Sequence, residues 1–290
     1  ITGAIETVNV TSSTSANSIQ LDSSASTLNI SGSENFTLAA ASTILNQTTT
    51  IDASAATGAI QLASDNTSAA GAVTITGGSG NDTLTSTGTN TATDTISGGA
   101  GNDTITFTGD LADADVINGG AGTDTLVSTS ALLTGLTTAN NISNTEILKA
   151  SDVLASATLT VATVDSTISS VELAAGANAG VVTFTAGTNT LTMGTANAGL
   201  LTVNDTGLAT DDTLTINAST VDSFNNNAVA VNGFETVNFS TGTGTTTDEQ
   251  DVSTFNVTGD PDSAGTRTSS TLNISGKGNF HASGIITLGT

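Results

Sequence analysis

Three nine-residue segments with one grammar constrain this chain more than anything else in it. Residues 77–85 read GGSGNDTLT, residues 98–106 read GGAGNDTIT, and residues 119–127 read GGAGTDTLV. All fit G-G-x-G-x-D-x-U-x, where U is a large apolar residue, and they start 21 residues apart. A fixed period of this kind is the mark of a stack, in which each repeat buries its apolar edge against the next. A second, degenerate half falls just before each of the last two segments. Residues 89–97 put Asp94 at the sixth position and Ile96 at the eighth; residues 110–118 put Asp115 and Ile117 there. One turn therefore reads as nine, three and nine residues. The expected fold is all-β, a parallel β-solenoid. Leu84, Ile105 and Leu126 should line one inner wall, and Ile75, Ile96 and Ile117 the other. The three additional residues, 86–88 and 107–109, should form a small glycine-bearing bulge.

The nonapeptide resembles the calcium-binding RTX repeat, and the fold implied is the RTX β-roll with its Gly/Asp-rich loops. The resemblance implies calcium (Ca2+) ligand roles for Gly77, Gly78, Gly80 and Asp82, for Gly98, Gly99, Gly101 and Asp103, and for Gly119, Gly120, Gly122 and Asp124. The residue types suit the ion. Calcium is a hard cation that takes six to eight oxygens from carboxylates and backbone carbonyls. Glycine reaches backbone conformations that aim carbonyls at it. An ion between stacked loops draws on two successive turns, so three loops should enclose two complete sites. Asp94 and Asp115 are further candidates, although their halves lack the glycine set. A 21-residue turn departs from the regular roll of two nonapeptides, and this leaves the ion count open.

Strand signals run through the rest of the chain. Residues 27–30, 72–75, 181–184, 200–203 and 213–216 place apolar side chains two apart, the period of a half-buried strand. Gly, Asn, Asp and Ser clusters separate them. The heptapeptide STLNISG at 26–32 returns at 270–276, each time followed by Asn-Phe, at 35–36 and 279–280. The theme ETVN recurs at 6–9 and 235–238. These read as single rungs. The organisation expected is solenoid rungs over 1–76, the calcium repeats over 77–127 and further rungs over 128–290. One short helix is expected within 144–154.

Charge narrows the partners. Three Lys and Arg stand against 26 Asp and Glu, a net charge of −23. Nothing here can neutralise phosphates, which excludes nucleic acid. Such a chain repels itself when compact, and divalent cations relieve that. With no Cys there is no disulfide framework and no thiolate metal site. No apolar run is long enough to insert in a membrane. His281, the only His, cannot build a His-based zinc site or a Ser-His-Asp triad, and no enzyme is expected. Acidic clusters at Asp110, Asp113 and Asp115, at Asp211 and Asp212, at Asp248, Glu249 and Asp251, and at Asp260 and Asp262 read as loop carboxylates or as further calcium ligands. None fits the EF-hand spacing.

The Thr-, Ser-, Ala- and Asn-rich body resembles RTX-containing bacterial surface-layer proteins. That resemblance implies type I export, folding outside the cell when calcium binds, and self-assembly into a lattice at the cell surface. Its partners would be other copies of the chain, with a cell-surface polysaccharide reached through regions outside residues 1–290. An RTX adhesin or extender segment is the alternative function. An ice-binding ladder at Asn81, Asn102 and Thr123 is a lesser one, and a toxin or protease would need its active domain elsewhere. The chain begins at Ile1 and shows no carboxy-terminal export signal at 284–290, as expected of a piece of a longer protein.

Overall fold

The computed structural model describes residues 6–21, 25–38, 48–64, 71–88, 92–137, 141–185, 187–195, 197–207, 211–218, 223–241, 249–259 and 270–289. Asp248, Asp260, Asp262 and Arg267 lie outside them. Alternation turns the repeats into strands. In Thr83–Ser86 and Thr104–Phe107 every second side chain points inward, and the hydroxyls of the threonines between them face outward. β-Branched threonine suits that pleated, half-wet surface.

The chain divides into two units, residues 1–128 with 135–146 and residues 129–134 with 147–290. In the first, two walls of parallel strands alternate along the chain. One wall runs through Thr7–Thr11, Thr27–Gly32, Thr50–Ala56, Thr74–Thr76, Thr95–Ala100, Val116–Ala121 and Ile142–Ser143. The other runs through Asn17–Ile19, Phe36–Leu38, Ile60–Ser64, Thr83–Ser86, Thr104–Phe107 and Thr125–Ser128. Each strand pairs with the one a full turn away, which is the connectivity of a parallel β-solenoid.

The inner walls are those the spacing predicts. Ile105 pairs in register with Leu84 and Leu126, and Ile96 with Ile75 and Ile117. All six are at most 2% exposed. Burying such a side chain is worth roughly 1.5–3 kcal/mol. The expected bulge is smaller than three residues. Ser86 and Phe107 extend their strands by one residue and point inward, each 1% exposed, because an even step along the strand from Leu84 or Ile105 returns to the inner face.

In the second unit, one wall runs through Ile147–Ala150, Ser170–Leu173, Thr188–Met193, Thr213–Ala218, Thr236–Ser240 and Thr271–Ser275. A facing wall runs through Thr158–Thr160, Gly180–Phe184, Leu201–Asp205, Asn227–Asn232, Glu249–Thr258 and Asn279–Ala282. Phe239 centres an aromatic cluster, with Phe224, Phe255 and Phe280 at centroid distances of 5.2, 5.7 and 5.1 Å. The second STLNISG copy keeps its strand, but Ile274 is 44% exposed.

The helix expected within 144–154 is absent. Ile147–Ala150 and Leu154–Ala155 are strands there, with Leu148 and Ala150 inside and Lys149 outside, 2.7 Å from Glu172. The inward period is two, and a helical stripe needs 3.6. Short helices form instead at Ser130–Gly135 and Val161–Val164.

Candidate metal centre

The motif aspartates stand one above another at the edge of the second wall, each just before its strand. All three are 1% exposed. Their Oδ1 atoms make a ladder along the stack. Asp82 accepts the Ile60 N–H (2.8 Å), Asp103 that of Asp82 (2.7 Å), and Asp124 that of Asp103 (2.7 Å). Glu146 Oε2 adds a step by accepting the Asp124 N–H at 2.8 Å. Each acid thus satisfies a buried donor on the rung before it, which would otherwise cost about 1–3 kcal/mol.

The second oxygens have other surroundings. Asp82 Oδ2 accepts the Gly78 N–H at 2.7 Å. Asp103 Oδ2 and Asp124 Oδ2 are buried with no hydrogen-bond partner. Backbone oxygen stands beside them. A Cβ on Gly98 would collide with both Asp103 Oδ2 and the Gly119 carbonyl oxygen; one on Gly119 would meet the Asn144 carbonyl oxygen and, at 2.7 Å, Asp124 Oδ2. The first glycine of each motif therefore clears the space in which carboxylate and carbonyl from successive rungs converge. The second and third glycines of the last two motifs do separate work. Gly99, Gly101, Gly120 and Gly122 have φ between 105° and 143°, where a side chain is strained.

These buried carboxylates are held above their ordinary range. Burial pushes Asp103 up to about 6; the Asp82 N–H opposes the rise, and the charges of Asp82 and Asp124 add to it. Burial likewise raises Asp82 and Asp124. An oxygen without a donor, beside a carbonyl and kept from water, fits a hard cation. Among the described residues no three acidic or histidine side chains converge, so any ligand set needs oxygens other than carboxylates, and the neighbouring backbone carbonyls can supply them.

Asp94 and Asp115 stack in their own column, 1% and 2% exposed. Asp94 accepts the Val73 N–H (2.8 Å) and the Ser86 hydroxyl (3.1 Å); Asp115 accepts the N–H groups of Asp94 (2.8 Å) and Ala112 (2.9 Å). All four oxygens are engaged, so this column ties rungs together. Beside it, both oxygens of Asp110 are buried without a partner, and burial with the charges of Asp94 and Asp115 raises its pKa to about 6. Asp113 caps a loop, accepting the Thr137 N–H at 2.9 Å. Asn81 and Asn102 accept the N–H groups of Asn102 and Thr123, at 2.8 and 2.9 Å. That ladder is exposed, and its carbonyl oxygens are turned along the stack. His281 is an exposed partner of Asp251 at 2.9 Å.

Sequence reasoning missed Glu146, and it named Asp110 only as one member of an acidic cluster. A signal for Glu146 exists: it stands two residues before Leu148, as Asp82, Asp103 and Asp124 stand two before Leu84, Ile105 and Leu126. Asp110 occupies the place of the first glycine in the half-repeat 110–118.

Comparison with known families finds one similarity. Residues 68–90, 88–106 and 110–129 match the RTX calcium-binding nonapeptide repeat. No curated protein and no solved structure matches the chain. The chain is an all-β parallel solenoid that carries RTX-type calcium-binding repeats in its first unit.

Proposed function

We propose that the chain is a structural protein of the cell exterior, a surface-layer component that folds with calcium and assembles into a two-dimensional lattice. The observation that carries the calcium part is the pair of buried, donorless oxygens on Asp103 and Asp124, each beside a carbonyl of the next rung. Asp103, Asp124 and the carbonyls of Gly119 and Asn144 would hold the ion, which when bound supplies the positive charge that these carboxylates lack. The role is mechanical, not catalytic. A ligand that binds only the folded state stabilises it by mass action. Where calcium is scarce, inside a cell, the acidic chain stays unfolded and exportable; where calcium is plentiful, outside, it folds. The lattice part rests on the composition shared with surface-layer proteins and on the exterior setting typical of RTX repeats.

Calcium titration into chelator-treated protein, followed by circular dichroism and electron microscopy, tests both parts. A cooperative gain of β signal and ordered sheets are expected. Folded single rods without sheets would replace the lattice by an adhesin or extender role. Folding that ignores calcium would remove the reading altogether.

A further inference from the structure

The second unit holds a pair of acids that nothing above uses. Asp212 precedes the strand Thr213–Ala218 as Asp103 precedes Thr104–Phe107, again with a large apolar residue, Leu214, two positions on. It makes the same ladder step. Its Oδ1 accepts the Gly187 N–H of the preceding rung at 2.5 Å, and its own N–H donates to Glu235 Oε2 at 3.0 Å. Asp212 is 0% exposed, and its Oδ2 has no hydrogen-bond partner.

A second carboxyl group, that of Asp205, neighbours it. Asp205 ends the strand Leu201–Asp205; its Oδ1 accepts the Gly207 N–H at 2.7 Å, and its Oδ2 is also buried without a partner. Burial raises the Asp205 pKa, and the neighbouring Asp212 raises it further. Two ionised carboxylates are acceptors only and cannot satisfy each other. Lys149, 2.7 Å from Glu172, is engaged elsewhere. The chain thus repeats in its second unit the feature that marks the calcium column in the first, with a second carboxylate where the repeats supply a glycine carbonyl.

We propose that Asp205 and Asp212 form a separate site for a calcium-class divalent cation, outside the nonapeptide repeats. The two Oδ2 atoms bind the ion, while the two Oδ1 atoms stay on the backbone and hold the carboxylates in place. No nonapeptide consensus is needed, because the acid comes from the ladder position and the second charge from a strand end.

Calcium bound per full-length chain, counted by elemental mass spectrometry after stripping and reloading, tests this. The wild type, Asp205→Asn, Asp212→Asn and the double variant Asp103→Asn/Asp124→Asn are compared. Asparagine keeps Oδ1 as an acceptor, so the backbone bonds survive. Asp205→Asn and Asp212→Asn should each lose about one ion per chain, and the repeat variant should retain that ion. A folded Asp205→Asn chain, checked by circular dichroism, with the wild-type count would overturn the proposal. So would a rise in chelated stability with an unchanged count, which identifies a shared proton. If Asp205→Asn fails to fold, the repeat variant decides alone: a retained ion supports the second site and none removes it. Loss of that ion leaves the repeat reading intact, whereas a wild type that binds no calcium removes both.

Discussion

Replacing Asp103 by Asn should stabilise the protein without calcium, and excess calcium should cancel most of that gain. The side chain has two separable duties. Oδ1 holds the Asp82 N–H at 2.7 Å, and asparagine keeps that bond. Oδ2 is buried without a donor beside the Gly119 carbonyl oxygen. In the substituted chain an amide nitrogen falls there, next to an acceptor. The folded pKa of Asp103 lies above its ordinary 3.8, at about 6. The ionised form is therefore the one that folding penalises; the penalty vanishes below the unfolded pKa and is complete above the folded one. Roughly two pH units at 1.36 kcal/mol each put it at about 3 kcal/mol as an upper bound at neutral pH. Removing the charge recovers up to that amount in chelator. With calcium at a hundredfold its dissociation constant, a lost site costs about 2.7 kcal/mol. Urea unfolding at pH 7.5, in chelator and in excess calcium, gives both values. A gain that excess calcium leaves unchanged would refute the reasoning, because a carboxylate kept only for the rung-to-rung bond has no reason to respond to the ion.

The wild type should show the matching pH dependence. In chelator its stability should fall as pH rises from about 4 to about 6, while Asp103 and Asp110 lose their protons, and calcium should flatten that slope. Gly98→Ala should cost about 1–3 kcal/mol or more in thermal unfolding and should weaken calcium binding, since the added methyl lands on Asp103 Oδ2 and the Gly119 carbonyl. Gly135→Ala is the control: a Cβ there meets nothing within 4 Å, so unfolding should move by less than about 1 kcal/mol. Phe239→Ala should cost about 3–5 kcal/mol, equally with and without calcium, because it empties the aromatic cluster of the second unit.

The repeats were legible because their period was strict. Once Gly77, Gly98 and Gly119 are aligned, the facing rows of Leu84, Ile105, Leu126 and Ile75, Ile96, Ile117 follow from strand alternation alone. The degenerate halves were harder. Asp94 and Asp115 occupy the motif position, yet their oxygens are taken by N–H and hydroxyl donors that only the folded turn brings near. The helix expected within 144–154 shows the opposite error, a short pattern read locally when stacking decided the outcome. The ladder roles of Glu146, Asp212 and Glu235 stayed hidden because rung length outside 77–127 varies. The same ladder step spans 22 residues from Asp124 to Glu146, 25 from Gly187 to Asp212 and 23 from Asp212 to Glu235.

The acid ladder also gives a rung two unlike faces. Toward the lower-numbered neighbour it offers carboxylate oxygens; toward the higher-numbered one it offers N–H groups. Two identical faces brought together would set acceptor against acceptor, or donor against donor. Any contact in which rungs of one copy continue those of another must therefore run in one sense only. Such an arrangement does not close as a twofold pair; it propagates as a polar row whose two directions are chemically distinct.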